Sequence, residues 1–182
     1  MTDVPPEPGT VIEFIERDHK IIRGILGRFD MTEEEEWGGL FRELRDYLVR
    51  HEIAEEQVVF PRVRTELPSS SGTLDECIAE QHAAEQELIR LSRVPPVGQD
   101  FREAIGRLKD DLDAHIAREN LVVIPMIRSL GSYEDPEFAQ AYEVARAVAP
   151  SRPEAVAEVG EESSERPFEH VLGALKRVVG RD

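Results

Sequence analysis

The residues that could do chemistry in this chain are a repeated set of histidines and glutamates. A His-x-x-x-Glu motif runs from His51 to Glu55 and recurs 64 residues later from His115 to Glu119. Residues four apart on a helix point in nearly the same direction, so each motif presents an imidazole and a carboxylate on one face. Imidazole and carboxylate groups are common metal ligands. The spacing therefore predicts two halves of a metal site.

A single histidine precedes each motif at almost the same distance. His19 lies 32 residues before His51, and His82 lies 33 residues before His115. Four of the five histidines therefore belong to one pattern, which indicates a helical hairpin that is used twice. If the four helices face one another, four imidazoles and two carboxylates meet in one interior. This set is large enough for two metals bridged by the two glutamates.

The alternative is a group of surface His-Glu pairs or of hydrogen-bonded polar residues in a core. Apolar residues flank both motifs on the side that a helix would bury, for example Leu48 and Leu112. A carboxylate in such a core costs on the order of several kcal/mol without a partner, and it would be protonated instead. A bound cation removes that cost, and the same ligand types occur twice. We therefore favour the metal site.

Four long helical patterns position these residues. Apolar residues recur at three- and four-residue spacings over residues 11–29, 33–65, 74–92 and 101–130. Each pattern opens with a polar N-cap followed three residues later by Glu. These capping signatures are Thr10 with Glu13, Thr32 with Glu35, Thr73 with Glu76, and Asp100 with Glu103. Short, turn-rich links make neighbouring helices antiparallel, which predicts an all-α, up-down-up-down four-helix bundle.

Two features suggest irregularity in the helices that carry the motifs. Pro61 and Pro125 each remove a backbone donor and clash with the preceding turn, so we expect these helices to kink or end there. In the second helical pattern His51 also lies 19 residues after the cap, whereas His19 lies only 10 residues before the end of the first pattern. Residues 33–39 are therefore expected to project beyond the first helix or to be irregular.

The composition divides the chain into a bundle and flanking segments. Asp135 and Pro136 predict the start of a shorter fifth helix over residues 136–148. The sequence then becomes rich in Pro, Ser, Gly and Glu before a final amphipathic stretch that docks on the bundle or on another protein. The predicted segments are a disordered N-terminus, the bundle, a flexible linker and a C-terminal helical extension, at residues 1–9, 10–148, 149–166 and 167–182.

The charge of the chain limits its partners. It has 38 Asp and Glu against 22 Lys and Arg, which gives a net charge of −16. This charge repels phosphate backbones and anionic lipids, so we expect neither nucleic acid nor a membrane as partner. No apolar run suggests a signal peptide or a transmembrane span, which favours the cytoplasm. The single cysteine, Cys77, is expected to be a buried, unreactive thiol.

With its motifs in this order, the sequence resembles the hemerythrin-like family, also called the HHE cation-binding domain, over residues 11–130. The resemblance implies a four-helix bundle with two iron ions bridged by an oxo or hydroxo group. It assigns His19 and His51 to one iron, His82 and His115 to the other, and Glu55 and Glu119 to both as bridges. It also implies a small ligand such as O2, peroxide or nitric oxide.

The sequence departs from the oxygen-carrying members of that family at two positions. They have a further histidine four residues after the third one, where this chain has Gln86, and an Asp five residues after the last histidine, where this chain has Glu119 at four. Glu85 lies on the face of His82 and is a replacement ligand, with a solvated Glu85 as the alternative. More carboxylate and less imidazole favour reaction with the small ligand over reversible oxygen carriage.

Two residues one turn before the motifs are predicted to point towards the same interior. Asp111 would accept a hydrogen bond from the free ring N–H of a metal-binding histidine, and Tyr47 would hydrogen-bond a bound oxygen species or bind iron directly. The alternatives are a solvated charge at Asp111 and an ordinary core aromatic at Tyr47. His170 does not fit the repeat and is expected to be a surface residue.

Two functions follow from these residues. The first is oxidation-reduction chemistry of O2, peroxide or a related ligand, with decomposition of peroxide as the first enzymatic candidate. The second is an iron or oxygen sensor whose C-terminal helix, residues 167–182, changes its docking or binds a protein partner when the site fills. A metal-free interaction bundle would require the repeated ligands to be a coincidence.

Overall fold

The computed structural model describes residues 9–151, which form helices and connecting turns without a strand. The α-helices are α1 (Val11–Arg28), α2 (Glu34–Ala54), α3 (Phe60–Glu66), α4 (Ser71–Leu91), α5 (Gly98–Arg118), α6 (Ile124–Ser129) and α7 (Pro136–Val148). Short 3-10 turns occur at Phe29–Met31 and Pro68–Ser70. The predicted all-helical class is confirmed, and the up-down-up-down order stays a prediction.

Several predictions fall on residues outside this range. They concern the N-terminal segment up to residue 8, nearly all of the linker, the C-terminal helix and His170. Within residues 9–151, none of the helices combines the length and the apolar character that a membrane span requires.

The capping box predicted at the start of α1 is confirmed. Thr10 Oγ1 accepts a hydrogen bond from the backbone N–H of Glu13, and the carboxylate of Glu13 accepts one from the N–H of Thr10. The other three predicted caps do not form. Helix α2 starts after Glu33 without a side-chain cap, while α4 and α5 start before Thr73 and Asp100, which then lie inside the first turn.

We expect Thr10→Ala to lower the free energy of unfolding by about 1 kcal/mol, because the backbone N–H of Glu13 loses the side-chain oxygen that accepts its hydrogen bond. Thr73→Ala is the matched control, since Thr73 lies within α4 and caps no helix. Urea denaturation of both variants and the parent measures the difference. Equal losses in the two variants would contradict the assigned cap.

Helix α2 is regular from Glu34, so the alternative of an irregular segment over residues 33–39 is wrong, and the alternative that these residues project beyond α1 stays a prediction. Trp37 is buried there, its Nε1–H donates to the carbonyl of Thr32 at 3.0 Å, and its ring stacks on Phe101 with the centroids 6.1 Å apart. These contacts of Trp37 with Thr32 and with Phe101 of α5 stabilise the first turns of α2 as a regular helix.

Two apolar clusters stabilise the helices, with a polar layer between them. One cluster contains Ile22, Ile53, Ala84 and Ile116, and the other contains Ile15, Val59, Cys77 and Val123. Along each long helix the chain therefore passes from one cluster to the other through a short interval of buried polar residues. These are Asp18 and His19 on α1, His51 and Glu52 near the end of α2, Glu55 directly after α2, Gln81 on α4, His115 near the end of α5, and Glu119 directly after α5. Cys77 is buried, as predicted.

A π-helical turn begins at the glutamate of each His-x-x-x-Glu motif. The turns Glu55–Val59 and Glu119–Val123 join α2 to α3 and α5 to α6, and in each the glutamate carbonyl accepts from a backbone N–H five residues on. Pro61 and Pro125 each lie two residues after the end of a turn. Proline has no N–H and its ring crowds the carbonyl four residues earlier, which the wider turn relieves. The helices therefore widen where we expected them to kink or end.

Candidate metal centre

Four buried side chains from three helical runs converge in the polar layer. One ligand atom from each of His19, His51, Glu55 and Glu119 lies within 4.8 Å of the others. Metal ions bind imidazole nitrogen and carboxylate oxygen at about 2.0–2.2 Å, so ligand atoms on opposite sides of one ion are about 4.2 Å apart. The group needs only a small contraction to hold one cation.

Nε2 of His19 and of His115 and both carboxylate oxygens of Glu119 are buried without a hydrogen-bond partner among the described residues. His19 Nε2 is 3.0 Å from Glu119 Oε2, and His115 Nε2 is 3.3 Å from Glu119 Oε1, yet neither contact has hydrogen-bond geometry. Buried polar atoms are normally satisfied, and leaving them unpaired destabilises the fold. The donor set therefore fits a bound cation.

The outer face of His51 is fixed by a residue of α7. His51 Nδ1 is 2.8 Å from the hydroxyl of Tyr142, which donates to Asp18 Oδ2 at 2.9 Å. Because the tyrosine proton goes to the carboxylate, the ring must donate from Nδ1 to the tyrosine oxygen. Nε2 is then unprotonated and faces Glu55, with 3.5 Å between Nε2 and Glu55 Oε2. This chain of contacts holds the imidazole in the tautomer that a metal requires.

Asp18 is the anchor of this chain. It accepts a hydrogen bond from the hydroxyl of Tyr47 at 2.8 Å, and its Oδ2 is 2.9 Å from Nε of Arg146. Burial by itself would raise the pKa of Asp18, but His51, Arg146 and Tyr47 hold that pKa well below its usual range. Burial and Asp18 also raise the pKa of Tyr47 to about 12. Tyr47 is only half-buried, and it supports His51 through Asp18.

Replacing Tyr142 with Phe should weaken metal binding about 10- to 100-fold, because the ring of His51 loses the acceptor that fixes its tautomer. Competition with a chromogenic chelator measures the affinity. Tyr133→Phe is the control, since the Tyr133 hydroxyl donates to the neighbouring Glu134 and makes no contact with the buried centre in the described part of the chain. An affinity that Tyr142→Phe leaves unchanged would exclude this supporting role.

His115 has a carboxylate partner on α4. Its Nδ1 is 3.0 Å from Glu80 Oε2, and the other oxygen of Glu80 contacts Arg118 at 2.9 Å. Burial opposes protonation of His115, but the contacts with Glu119 and Glu80 outweigh it and raise the pKa to about 8. The expected partner, Asp111, is exposed, so its predicted interior position is wrong. Glu80 takes the role that the sequence suggested for Asp111.

Glu52 is a further buried acid beside this group. Its side chain is 1% exposed, and neither carboxylate oxygen has a hydrogen-bond partner in the described part of the chain. Burial and the nearby charges of Glu85, Glu56 and Glu119 raise its pKa well above the usual value. Sequence reasoning missed Glu52 because it sought only the four-residue spacing. Burial and the neighbouring Glu119 raise the pKa of Glu55 as well, although Gln81 donates to Glu55 at 2.7 Å.

Comparison with known families agrees with this geometry. The sequence profile of the hemerythrin HHE cation-binding domain matches residues 10–127, which is more than half of the chain and includes every residue of the centre. This chain belongs to the hemerythrin HHE family. HHE domains bind metal cations, and this HHE chain has a buried group of His and Glu side chains that could hold one.

The name of one curated relative does not refer to metal binding. A protein described as a DNA nickase from Nostoc sp. is 25% identical over 114 residues, which are 62% of the present HHE chain and 31% of that protein. The chain thus spans about a third of the length of this relative. No solved structure matches the chain.

Three predicted ligands of the HHE domain lie outside the group of four. His115 is buried and contacts that group through Glu119, whereas the other two lie further out. His82 is 58% exposed, and its Nε2 is 3.3 Å from Glu56 Oε1. Glu85 is half-buried, and burial together with Glu56 raises its pKa to about 7. On this turn of α4, Gln81 is the residue whose side chain is buried. Neighbouring residues on a helix differ by about 100° in direction, so the side chain of His82 points elsewhere. His82 and Glu85 therefore face the rim of the centre.

Proposed function

We propose that this HHE chain is a non-haem di-iron protein that binds or reacts with O2, peroxide or a related small ligand such as nitric oxide. The convergence of His19, His51, Glu55 and Glu119 in a buried layer carries this proposal. An up-down-up-down four-helix arrangement and a cytoplasmic location belong to the same proposal. Decomposition of peroxide is the first activity to test.

The first iron would be held by the four converging side chains. The second would lie beside it, where Glu55 and Glu119 can serve both ions and where His115 Nε2 and the oxygens of Glu52 have no hydrogen-bond partner among residues 9–151. His82 and Glu85 stand at the rim and would complete the second set after a change of side-chain rotamer. This set is rich in carboxylate, which suits ferric iron.

When bound, iron would supply one-electron chemistry and a coordination position for the small ligand. The chain's own residues prepare that position. Tyr142 and Glu80 keep the Nδ1 atoms of His51 and His115 engaged, which directs both Nε2 atoms inwards. The apolar clusters on either side of the polar layer exclude bulk water, and this strengthens electrostatic interactions within it.

Nuclease activity is not part of this proposal. The name DNA nickase applies to a whole protein that is about three times as long as the region matched by this chain. In addition, the net charge of −16 opposes binding to a phosphate backbone. The alternative of a sensor depends on the C-terminal segment, which lies outside the described residues. It stays a prediction.

The optical spectrum of the protein tests the proposal most directly. It is recorded on protein purified in air, after anaerobic reduction and after O2 is admitted again, together with the metal content. Two irons per chain with near-ultraviolet bands that vanish on reduction and return in air would support the proposal. Zinc in place of iron, or a featureless spectrum in all three states, would contradict it.

A further inference from the structure

The buried histidines His19, His51 and His115 differ in the hydrogen-bond partner of their Nδ1 atom. The Nδ1 atom of His51 contacts Tyr142, and that of His115 contacts Glu80. His19 is 3% exposed, yet its Nδ1 has no hydrogen-bond partner within residues 9–151. A histidine that binds metal through Nε2 carries its proton on Nδ1, and that proton normally has an acceptor. The acceptor for His19 is therefore missing from this part of the protein.

His19 also borders a surface cavity. The cavity has a volume of about 340 Å³ and lies between α1 and the segment that contains the second π-helical turn and α6. Its polar lining consists of His19, Glu16, Lys20, Arg23, Asn120 and Arg128. This volume is sufficient for a phosphate ion or for a small organic acid.

Positive charge is concentrated around this cavity, although the chain as a whole carries −16. Lys20 and Arg128 have no ion-pair partner among the described side chains, while Arg23 pairs with Asp113 at 2.7 Å. Glu16 is the one carboxylate among the lining residues that the structure describes. Two unpaired cations beside a buried N–H donor suit an anion with several acceptor oxygens.

We propose that this cavity binds a small oxyanion, a phosphate or a carboxylate, between Lys20 and Arg128, and that one of its oxygens accepts a hydrogen bond from His19 Nδ1. The anion would supply for His19 the acceptor that Tyr142 supplies for His51 and Glu80 for His115. Occupancy would then orient His19 and tighten its hold on the metal. This effect on the centre rests on the proposed function, whereas binding of the anion does not.

Calorimetric titration of the full-length, metal-loaded protein with inorganic phosphate, and separately with citrate, tests the proposal. The variant Lys20→Gln/Arg128→Gln removes the two unpaired cations. Its control is Lys109→Gln/Arg107→Gln, which makes the same change in net charge away from the cavity. We expect the first variant to weaken anion binding by at least about tenfold and the control by less than about twofold. The tighter of the two probes identifies the phosphate or carboxylate class.

Nitrogen-15 NMR of the zinc-loaded protein provides a second readout. The Nδ1–H resonance that is absent in His19→Gln should shift downfield as the anion saturates, and it should not shift in Lys20→Gln/Arg128→Gln. No binding heat with either anion, an equal loss of affinity in the control, or an unmoved His19 resonance would overturn the proposal. Metal content is measured on the same samples, so a protein that holds iron but binds no anion fails only this inference.

Discussion

His51→Ala should give a folded protein that retains almost no iron. The substitution removes one of four converging ligands and leaves Glu55 without the imidazole that faces it at 3.5 Å. Loss of a residue that only supports a ligand costs about 10- to 100-fold in metal affinity, so loss of the ligand itself should cost roughly 100-fold or more. Elemental analysis after anaerobic loading with ferrous iron and gel filtration gives the number of irons per chain.

Companion variants make the result specific. Glu119→Ala should lose iron nearly as completely, because Glu119 contacts both His19 and His115. His82→Ala should lose at most one iron, since His82 is 58% exposed at the rim. His170→Ala, outside the repeat, should retain the full content. Unchanged stoichiometry in both His51→Ala and Glu119→Ala would remove these residues from the ligand set.

The internal repeat made much of the centre accessible to sequence reasoning. The four-residue spacing alone places His51 beside Glu55 and His115 beside Glu119, and the structure has both pairs buried at the ends of α2 and α5. Spacing of this kind works because it depends only on helix geometry, which neighbouring helices do not change. The contacts that these pairs make with other helices depend on how the helices pack, which the spacing does not describe.

The repeat was less informative where its two copies pack differently. On α1 both Asp18 and His19 are buried, because α7 covers that side and Tyr142 reaches Asp18. On α4 the equivalent pair is split, with Gln81 buried and His82 exposed. Equal sequence spacing therefore did not give equal burial. The rotation of each helix about its axis is set by all of its packing partners.

The outer partners of the histidines could not be found from local spacing. Tyr142 comes from α7, 91 positions after His51, and Glu80 lies 35 positions before His115. Neither residue belongs to the repeated motif, and a single Tyr or Glu in an acidic helical chain has no distinguishing signal. Such contacts depend on how the helices pack against one another. The apolar pattern predicts which face of a helix is buried, but not which residues of other helices that face contacts.

Glu52→Gln should stabilise the metal-free protein near pH 8 by roughly 1–3 kcal/mol, because it removes a buried carboxylate whose two oxygens have no partner in the described structure. The folded-state pKa of Glu52 lies well above the ordinary value of 4.5, so the folded protein holds this proton more tightly than the unfolded chain. The free energy of unfolding of the parent should therefore fall as pH rises above about 4.5.

The difference between Glu52→Gln and the parent isolates this contribution. Asp18 and Glu119 have lowered pKa values, so their stabilisation is lost only as pH falls below the ordinary carboxylate range. Urea denaturation of the metal-free forms from pH 4.5 to 8 should show a gap that opens as pH rises. Glu36→Gln, at an exposed position on α2, should show no such gap. A parent as stable as the variant at pH 8 would contradict the assignment.

The same substitution should act in the opposite direction once metal is added. If Glu52 completes the second iron site, Glu52→Gln should hold close to one iron per chain where the parent holds two. At 100 times the dissociation constant, a bound ion stabilises the folded state by about 2.7 kcal/mol. The parent should then gain several degrees more in thermal midpoint on loading than the variant does, roughly 5–10 °C for a chain of this size. A carboxylate that destabilises the empty fold and stabilises the loaded one would serve metal binding rather than folding, and equal gains in the two proteins would assign Glu52 to neither ion.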